Sequence, residues 1–281
     1  MPKITAKTIC DMKARGEKIA SITAYDYSTA KYFDEAGIDF LLVGDSAAHV
    51  MLGLDSTTKI TMNEMLVFTS AVARGVKNAL VVADMPFLSY QTSVSDALEN
   101  AGDLIRAGAG AVKIEGASNH SLEVISRLVE SGIPVVAHLG FTPQFVNTIG
   151  GNFVAGKSFE TTLKILHDSL AVERAGAFAL VLEMVPKESA EFITSKLQIP
   201  TIGIGAGNGC DGQILVSDDV LGRFDGFSPK FSKKYANLKE VMTKAVSEYV
   251  KDVKDKKFPT DAESFLLKDE ERQKLENYKN N

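Results

Sequence analysis

Cysteine is scarce in this chain: Cys10 and Cys210 are the only two among 281 residues. They lie far apart and neither has a paired metal-ligand spacing. A disulfide scaffold and a cysteine-based zinc site are therefore excluded, and free thiols in a reducing cytoplasm are expected. No uninterrupted apolar stretch is long enough to span a bilayer. The amino end, Met1-Pro2-Lys3-Ile4-Thr5, lacks the apolar core of a signal peptide. These absences point to a cytoplasmic protein with no membrane partner. Basic residues are outnumbered, 31 Lys and Arg against 36 Asp and Glu, for a net charge of -5. They are scattered, so no basic stripe invites nucleic acid. No Pro- or Ser-rich linker divides the chain. What remains is an ordinary globular composition, 45% hydrophobic and 24% charged. The length suits one or two domains, or a single α/β barrel of about 250 residues.

Five short apolar runs are present, and each ends in a polar residue. They are Leu41-Leu42-Val43-Gly44-Asp45, Leu80-Val81-Val82-Ala83-Asp84, Ala111-Val112-Lys113-Ile114-Glu115, Val135-Val136-Ala137-His138 and Leu180-Val181-Leu182-Glu183. Continuous apolar runs between helical segments read as buried parallel strands. A charged residue closing such a strand sits at its carboxyl edge, where α/β folds gather their chemistry. Several such edges in one chain imply a ring of acids with one histidine, and hence an enzyme.

Strand-like and helix-like segments alternate throughout. Further strands are expected at Ile19 to Thr23 and Thr201 to Gly205. Helices are expected near 28–36, 62–74, 93–107, 122–131, 159–175, 188–197 and 238–253, several of them stopped by glycine. An eighth strand, near Leu215 to Phe224, is poor. Unbroken βα repetition favours a closed (β/α)8 TIM barrel, and the poor last strand leaves an open sheet as the alternative. Residues 1–267 are expected to form one catalytic barrel domain. Residues 268–281 are expected to form a polar tail, either a frayed helix or disordered.

Asp45, Asp84 and Glu115 form the sharpest set. Three carboxylates brought together repel unless a cation neutralises them, and all-oxygen ligands suit Mg2+. The alternative for any one of them is a helix cap. Lys113 and Glu115 are two apart on one strand, so both face the same way. Lys113 would then lie one layer deeper inside the barrel, where it needs an anionic partner; otherwise it snorkels outward. Glu183 closes an apolar strand, and apolar surroundings tune a carboxyl toward general-base work near neutral pH. Its other reading is an acid that orients a metal-bound water. His138, at a strand edge before Gly140 and Thr142-Pro143-Gln144, is placed to donate to a substrate oxygen, or is structural. Gly203-Ile204-Gly205-Ala206-Gly207 reads equally as a phosphate cradle or as close backbone packing at the barrel mouth.

Taken together, the motifs resemble those of the ketopantoate hydroxymethyltransferase (3-methyl-2-oxobutanoate hydroxymethyltransferase) family. The matching blocks are Thr23-Ala24-Tyr25-Asp26, Val43-Gly44-Asp45-Ser46, Asp55-Ser56-Thr57, Ala83-Asp84-Met85-Pro86-Phe87, Val112-Lys113-Ile114-Glu115-Gly116, His138-Leu139-Gly140-Phe141-Thr142-Pro143-Gln144, Gly203-Ile204-Gly205-Ala206-Gly207, Asp211-Gly212-Gln213 and Pro229-Lys230-Phe231. They fall in family order over about residues 5 to 265.

The resemblance implies a Mg2+-dependent barrel of the phosphoenolpyruvate mutase and isocitrate lyase type. It implies transfer of a hydroxymethyl group from 5,10-methylenetetrahydrofolate, as co-substrate, to 3-methyl-2-oxobutanoate. The product is 2-dehydropantoate, in pantothenate and coenzyme A biosynthesis, reached through a Mg-stabilised enolate. By matching motif, Asp45 and Asp84 would bind the metal, with Glu115 in or beside its shell. Asp45, Ser46, Asp84 and Lys113 would contact the oxo acid, His138 would line its pocket, and Glu183 would be the base. The family forms large homo-oligomers, commonly decamers. Two stretches depart from the family pattern: Ala47-Ala48-His49, where Leu-Gly is usual, and Thr57-Thr58-Lys59, which lacks Leu-Pro. An isocitrate-lyase-type lyase is the nearest rival, but its Lys-x-Cys-Gly-His loop is absent. A catalytically silent metabolite-binding barrel is the rival from another class.

Overall fold

A computed structural model describes residues 3–151, 153–224, 226 and 229–279. Eight parallel strands close into a barrel in sequence order. In chain order the elements are α1 (Ala6–Ala14), β1 (Ile19–Thr23), α2 (Tyr27–Glu35), β2 (Phe40–Val43), α3 (Ala47–Val50), α4 (Met62–Gly75), β3 (Leu80–Asp84), α5 (Val94–Arg106), β4 (Ala111–Glu115) and α6 (Asn119–Glu130). There follow β5 (Val135–Gly140), α7 (Val146–Ile149), α8 (Phe159–Arg174), β6 (Ala179–Glu183), α9 (Lys187–Thr194), β7 (Thr201–Ile204), β8 (Gly212–Leu215), α10 (Ser217–Leu221), α11 (Leu238–Lys254) and α12 (Asp269–Lys279). The chain divides into two compact units, residues 1–220 with 226–233, and residues 221–225 with 234–281.

Strand periodicity sorts the first unit into two cores. Phe40, Leu42, Leu80, Val82, Ala111, Val136, Ala179, Val181, Ile202 and Ile214 fill the barrel interior. Their odd-numbered or even-numbered neighbours, such as Leu41, Val43, Val81, Val112, Ile114, Ala137, Leu180 and Leu182, pack outward against the helices. The same alternation carries Asp84, Lys113, Glu115, His138 and Glu183 onto the interior side, each in step with the apolar residues beneath it. Helix α1 begins with a Thr5 capping box and joins Ile9 and Met12 to the interior cluster. Only scattered apolar residues mark this helix in the sequence, and it was not expected.

The open-sheet alternative is excluded: β8 pairs with both β7 and β1. The last strand is nevertheless misplaced in the sequence reading. It is Gly212–Leu215, not a segment near Leu215 to Phe224, where α10 begins at Ser217. The strand was hard to see because it has no apolar run. Gly212 is required where it stands: a Cβ there would lie 2.6 Å from the Ile19 carbonyl oxygen and 2.7 Å from Ile202 Cδ1.

The second unit is helical. Helix α11 has no buried residue and exposes Val241, Met242, Val246, Tyr249, Val250 and Val253, while α12 is polar and likewise unburied.

A buried carboxylate secures the entry to β3. Asp34, near the end of α2, accepts backbone N–H bonds from Lys77, Asn78 and Ala79, the last at 2.7 Å. Burial alone would raise its pKa, but the N–H groups of Ala79, Lys77 and Asn78 outweigh burial and hold it below the usual carboxylate value. Asp34→Ala should lower stability by on the order of 3 kcal/mol, because three backbone donors lose a charged acceptor. The stabilisation is complete above the unfolded-state pKa of about 4 and is lost as pH falls through the depressed folded value. Denaturant unfolding of parent and variant should therefore differ at neutral pH and converge in acid.

Candidate active site

Strand register assembles the site in pairs. Asp84 lies beside Lys113 across β3 and β4, and Glu115 beside His138 across β4 and β5. Side chains in register on one face of neighbouring strands are within reach of each other. Lys113 Nζ accordingly stands 3.1 Å from Asp84 Oδ1 and 3.7 Å from Glu115 Oε1. His138 Nδ1 stands 3.1 Å from Glu115 Oε1, and its Nε2 is 3.3 Å from Glu183 Oε2. Asp45 follows β2, and its backbone N–H donates to Asp84 Oδ2 at 3.0 Å. Ser46 Oγ is 2.8 Å from the Tyr25 hydroxyl. Asp45, Ser46, Asp84, Lys113, Glu115, His138 and Glu183 all line one cavity of about 1020 Å3. All seven site residues expected from the sequence are thus brought together. Lys113 is turned into the barrel rather than out to solvent.

Charge explains the arrangement. Burial would strip the Lys113 proton, but the charges of Asp84, Glu115 and Asp45 prevail and raise its pKa, so the ammonium persists. Burial and Lys113 both push His138 down. Its contacts with Glu115 and Glu183 outweigh them and lift it to about 9. Glu115 is held below the ordinary glutamate value: burial opposes ionisation, but His138, Lys113 and the Gln144 backbone N–H overcome it. Asp45 goes the other way. Burial first, then the Asp84 and Glu115 charges, raise its pKa well up, with only Lys113 and Gln144 opposing. Asp84 is also raised, by burial, against the pull of Lys113.

Among the described residues, no group of three or more His, Cys, Asp or Glu side chains is arranged to hold a metal ion. Both Glu115 oxygens are engaged, Oε1 by His138 and Oε2 by the Gln144 N–H at 3.0 Å. Asp45 and Asp84 differ. Asp45 is an acid short of positive charge, and Asp84 Oδ1 is buried with no hydrogen bond, facing only the Lys113 ammonium. Two adjacent carboxylates suit a hard divalent cation that takes few protein ligands, so these residues fit such an ion.

The family model for ketopantoate hydroxymethyltransferase matches residues 3–261. The chain belongs to that family. It is 53% identical to the 3-methyl-2-oxobutanoate hydroxymethyltransferase of Enterococcus faecalis, over 97% of this chain and 99% of the relative. It is also 53% identical to that of Syntrophus aciditrophicus, over 94% and 97%. Among solved structures, a phosphonopyruvate hydrolase in complex with oxalate and Mg++ aligns at a TM-score of 0.60 with 14% identity, covering 99% of this chain and 96% of that one. A 2,3-dimethylmalate lyase, a PEP mutase/isocitrate lyase superfamily member, aligns at 0.60 with 18% identity, over 94% and 93%. These distant likenesses show the barrel fold.

Ala47 and Ala48 are fully buried in α3, whereas in the following 3-10 turn Thr57 is buried, Thr58 half-buried and Lys59 exposed. The glycine run after β7 serves close packing. Gly205 and Gly207 have positive φ, and a Cβ on them would meet the Phe231 ring at 2.7 Å and Lys187 Cγ at 2.6 Å. No sequence pattern singles out Tyr25, Tyr90 or Gln144, yet all three are buried at the array, Tyr25 on Ser46 and the other two on Glu115 and Asp45. Gln144 stood in a quoted motif, but an uncharged residue after a Thr-Pro turn carries no signal of its own.

Gly140 sets the spacing of His138 and Glu183. It has φ +99, and a Cβ would fall 2.2 Å from the Glu183 carbonyl oxygen. Gly140→Ala should displace the Glu183 backbone and lower kcat about 10²-fold, with divalent-cation affinity nearly unchanged because the Asp45 and Asp84 carboxylates belong to β2 and β3. Steady-state kinetics with calorimetric metal titration checks both halves.

Proposed function

We propose that this chain transfers a hydroxymethyl group from 5,10-methylenetetrahydrofolate to 3-methyl-2-oxobutanoate, giving 2-dehydropantoate for pantothenate and coenzyme A biosynthesis. The observation that carries this reading is the buried array of acids, lysine and histidine at one end of a roomy barrel cavity, in a chain of this family. Asp45 and Asp84 would hold Mg2+, with Glu115 beside it. The ion would supply positive charge against the negative charge that develops on the oxo acid's oxygens.

The chain's own groups account for the rest. Asp45, Ser46, Asp84 and Lys113 face the cavity together and would hold the oxo acid with its polar end toward the acids. Glu183 retains partial exposure, with 17% of its side chain accessible, whereas His138 beside it is sealed. It can therefore meet a substrate carbon, and it takes the proton from C3 of the oxo acid. His138 Nε2 stands 3.3 Å from Glu183 Oε2 and would draw that carboxylate toward the array by its charge. The C3 carbanion equivalent then forms a C–C bond to the folate's methylene carbon, water supplies the hydroxyl oxygen, and both C–N bonds to the carrier break; tetrahydrofolate leaves with one proton from water and the one that Glu183 took. The large apolar share of the cavity wall, including Phe141, Val146, Val154, Met184 and Phe231, leaves room for the second, bulkier reactant.

A homo-oligomer, by family resemblance a decamer, belongs to the same reading. The exposed apolar row Met242, Val246, Tyr249, Val250 and Val253 on α11 supports it. A cytoplasmic setting is part of it too; among the described residues no helix is long and apolar enough to cross a membrane.

Glu183→Gln keeps size and hydrogen-bonding reach but cannot take a proton. Exchange of the oxo acid's 3-proton with deuterated solvent, followed by NMR without folate, should slow by on the order of 10²–10⁴-fold. Exchange at the parental rate would assign the proton to another group. Asp84→Asn removes one of the two proposed ligand charges. Calorimetric titration should show clearly weaker Mg2+ binding, and an unaltered isotherm would remove Asp84 from the metal's coordination.

A further inference from the structure

Gln144 is buried and makes five hydrogen bonds, two of them to the acids themselves. Its Nε2 donates to Asp45 Oδ2 at 3.1 Å and to the Met85 carbonyl at 2.9 Å. Its backbone N–H donates to Glu115 Oε2 at 3.0 Å. Its Oε1 accepts from the Tyr90 hydroxyl at 2.9 Å and from Gln91 Nε2 at 3.2 Å. The amide has only one satisfactory orientation. Flipped, its oxygen would face a carboxylate and a carbonyl, and its NH2 would face an amide donor.

From this geometry we infer that Gln144 is a positioning residue for the metal-binding carboxylates, and that Tyr90 acts through it. The inference rests on the proposed metal site. One residue grips Asp45 by its side chain and Glu115 by its backbone, the acids on either side of Asp84. Asp45 has no lysine or histidine within ion-pair distance among the described residues, whereas Asp84 and Glu115 do. Gln144 Nε2 is accordingly the donor that aims its carboxylate. The Tyr90 hydroxyl also accepts from the Glu115 backbone N–H at 3.2 Å, which ties the amide's orientation to the end of β4. Partners of this kind, which orient a ligand without touching the metal, are typically worth about 10- to 100-fold in affinity.

The test is calorimetric titration of the full-length protein with Mg2+ alone, alongside KM for the oxo acid and thermal unfolding. Gln144→Met should raise the Mg2+ Kd about tenfold or more and raise that KM in parallel. Tyr90→Phe, which keeps the ring and removes only the hydroxyl, should shift both in the same direction by less. The double variant should be no worse than Gln144→Met, since Tyr90 works through the amide. A folded Gln144→Met with parental Mg2+ affinity overturns the inference. So does a double variant whose losses multiply. If Gln144→Met does not fold, Tyr90→Phe decides: weaker binding supports the inference and parental binding overturns it. A merely structural Gln144 would lower the melting temperature and leave the Kd alone. A parent protein that binds no Mg2+ would instead overturn the metal reading, and this inference with it.

Discussion

One buried ammonium holds the active end of this barrel together. Asp45, Asp84 and Glu115 are each nearly sealed from water, and three such carboxylates in one interior would repel each other into protonation or unfolding. Lys113, paired with Asp84 and within reach of Glu115, offsets part of that charge. His138, lifted to about 9, offsets more through Glu115. The balance remains short on the Asp45 side. That shortfall makes the array receptive to a divalent cation without making the empty barrel unfoldable. A buried ion pair is a poor source of net stability, so the lysine is better understood as what makes the other charges tolerable.

Much of this was legible in the sequence because strand periodicity and chemistry coincide. An apolar strand that ends in a charge gives both its own depth and the direction of its last side chain. Asp84, Lys113, Glu115, His138 and Glu183 could therefore be placed in one mouth from their spacing alone. The barrel itself followed from repetition. The eighth strand did not, because Gly212-Gln213-Ile214-Leu215 carries no apolar run and is shaped by contact with Ile19 and Ile202. Helix α1 escaped notice for a similar reason: two apolar residues suffice when a helix adds to the interior at one point only.

The finer ordering of the acids was out of reach. No pattern of residue types says that Glu115 has both oxygens engaged while Asp45 is left to an amide, because that depends on a glutamine reaching back from the loop after β5. Neutral hydrogen-bonding residues carry little signal in a sequence, yet inside a low-dielectric site they determine which acid stays available. The glycine run after β7 shows the converse. It is conspicuous in sequence and resembles a phosphate cradle, yet the Phe231 ring and the Lys187 side chain account for the glycines at 205 and 207.

Asp45, Asp84, Lys113, Glu115, His138 and Glu183 lie on or directly after five consecutive strands, β2 to β6. The remaining arc of the mouth, from β7 through β8 to β1, contributes glycines, aliphatic residues, the Thr23 hydroxyl, Lys230 and the Phe231 ring, but no acid and no histidine. The barrel is therefore chemically lopsided, with reactivity on one arc and mostly space on the other. Such an enzyme can be altered one arc at a time. Reshaping the quiet side would change which molecule fits without disturbing the acids, the lysine and the histidine, and diverging lineages would record their differences there while the charged arc stays fixed.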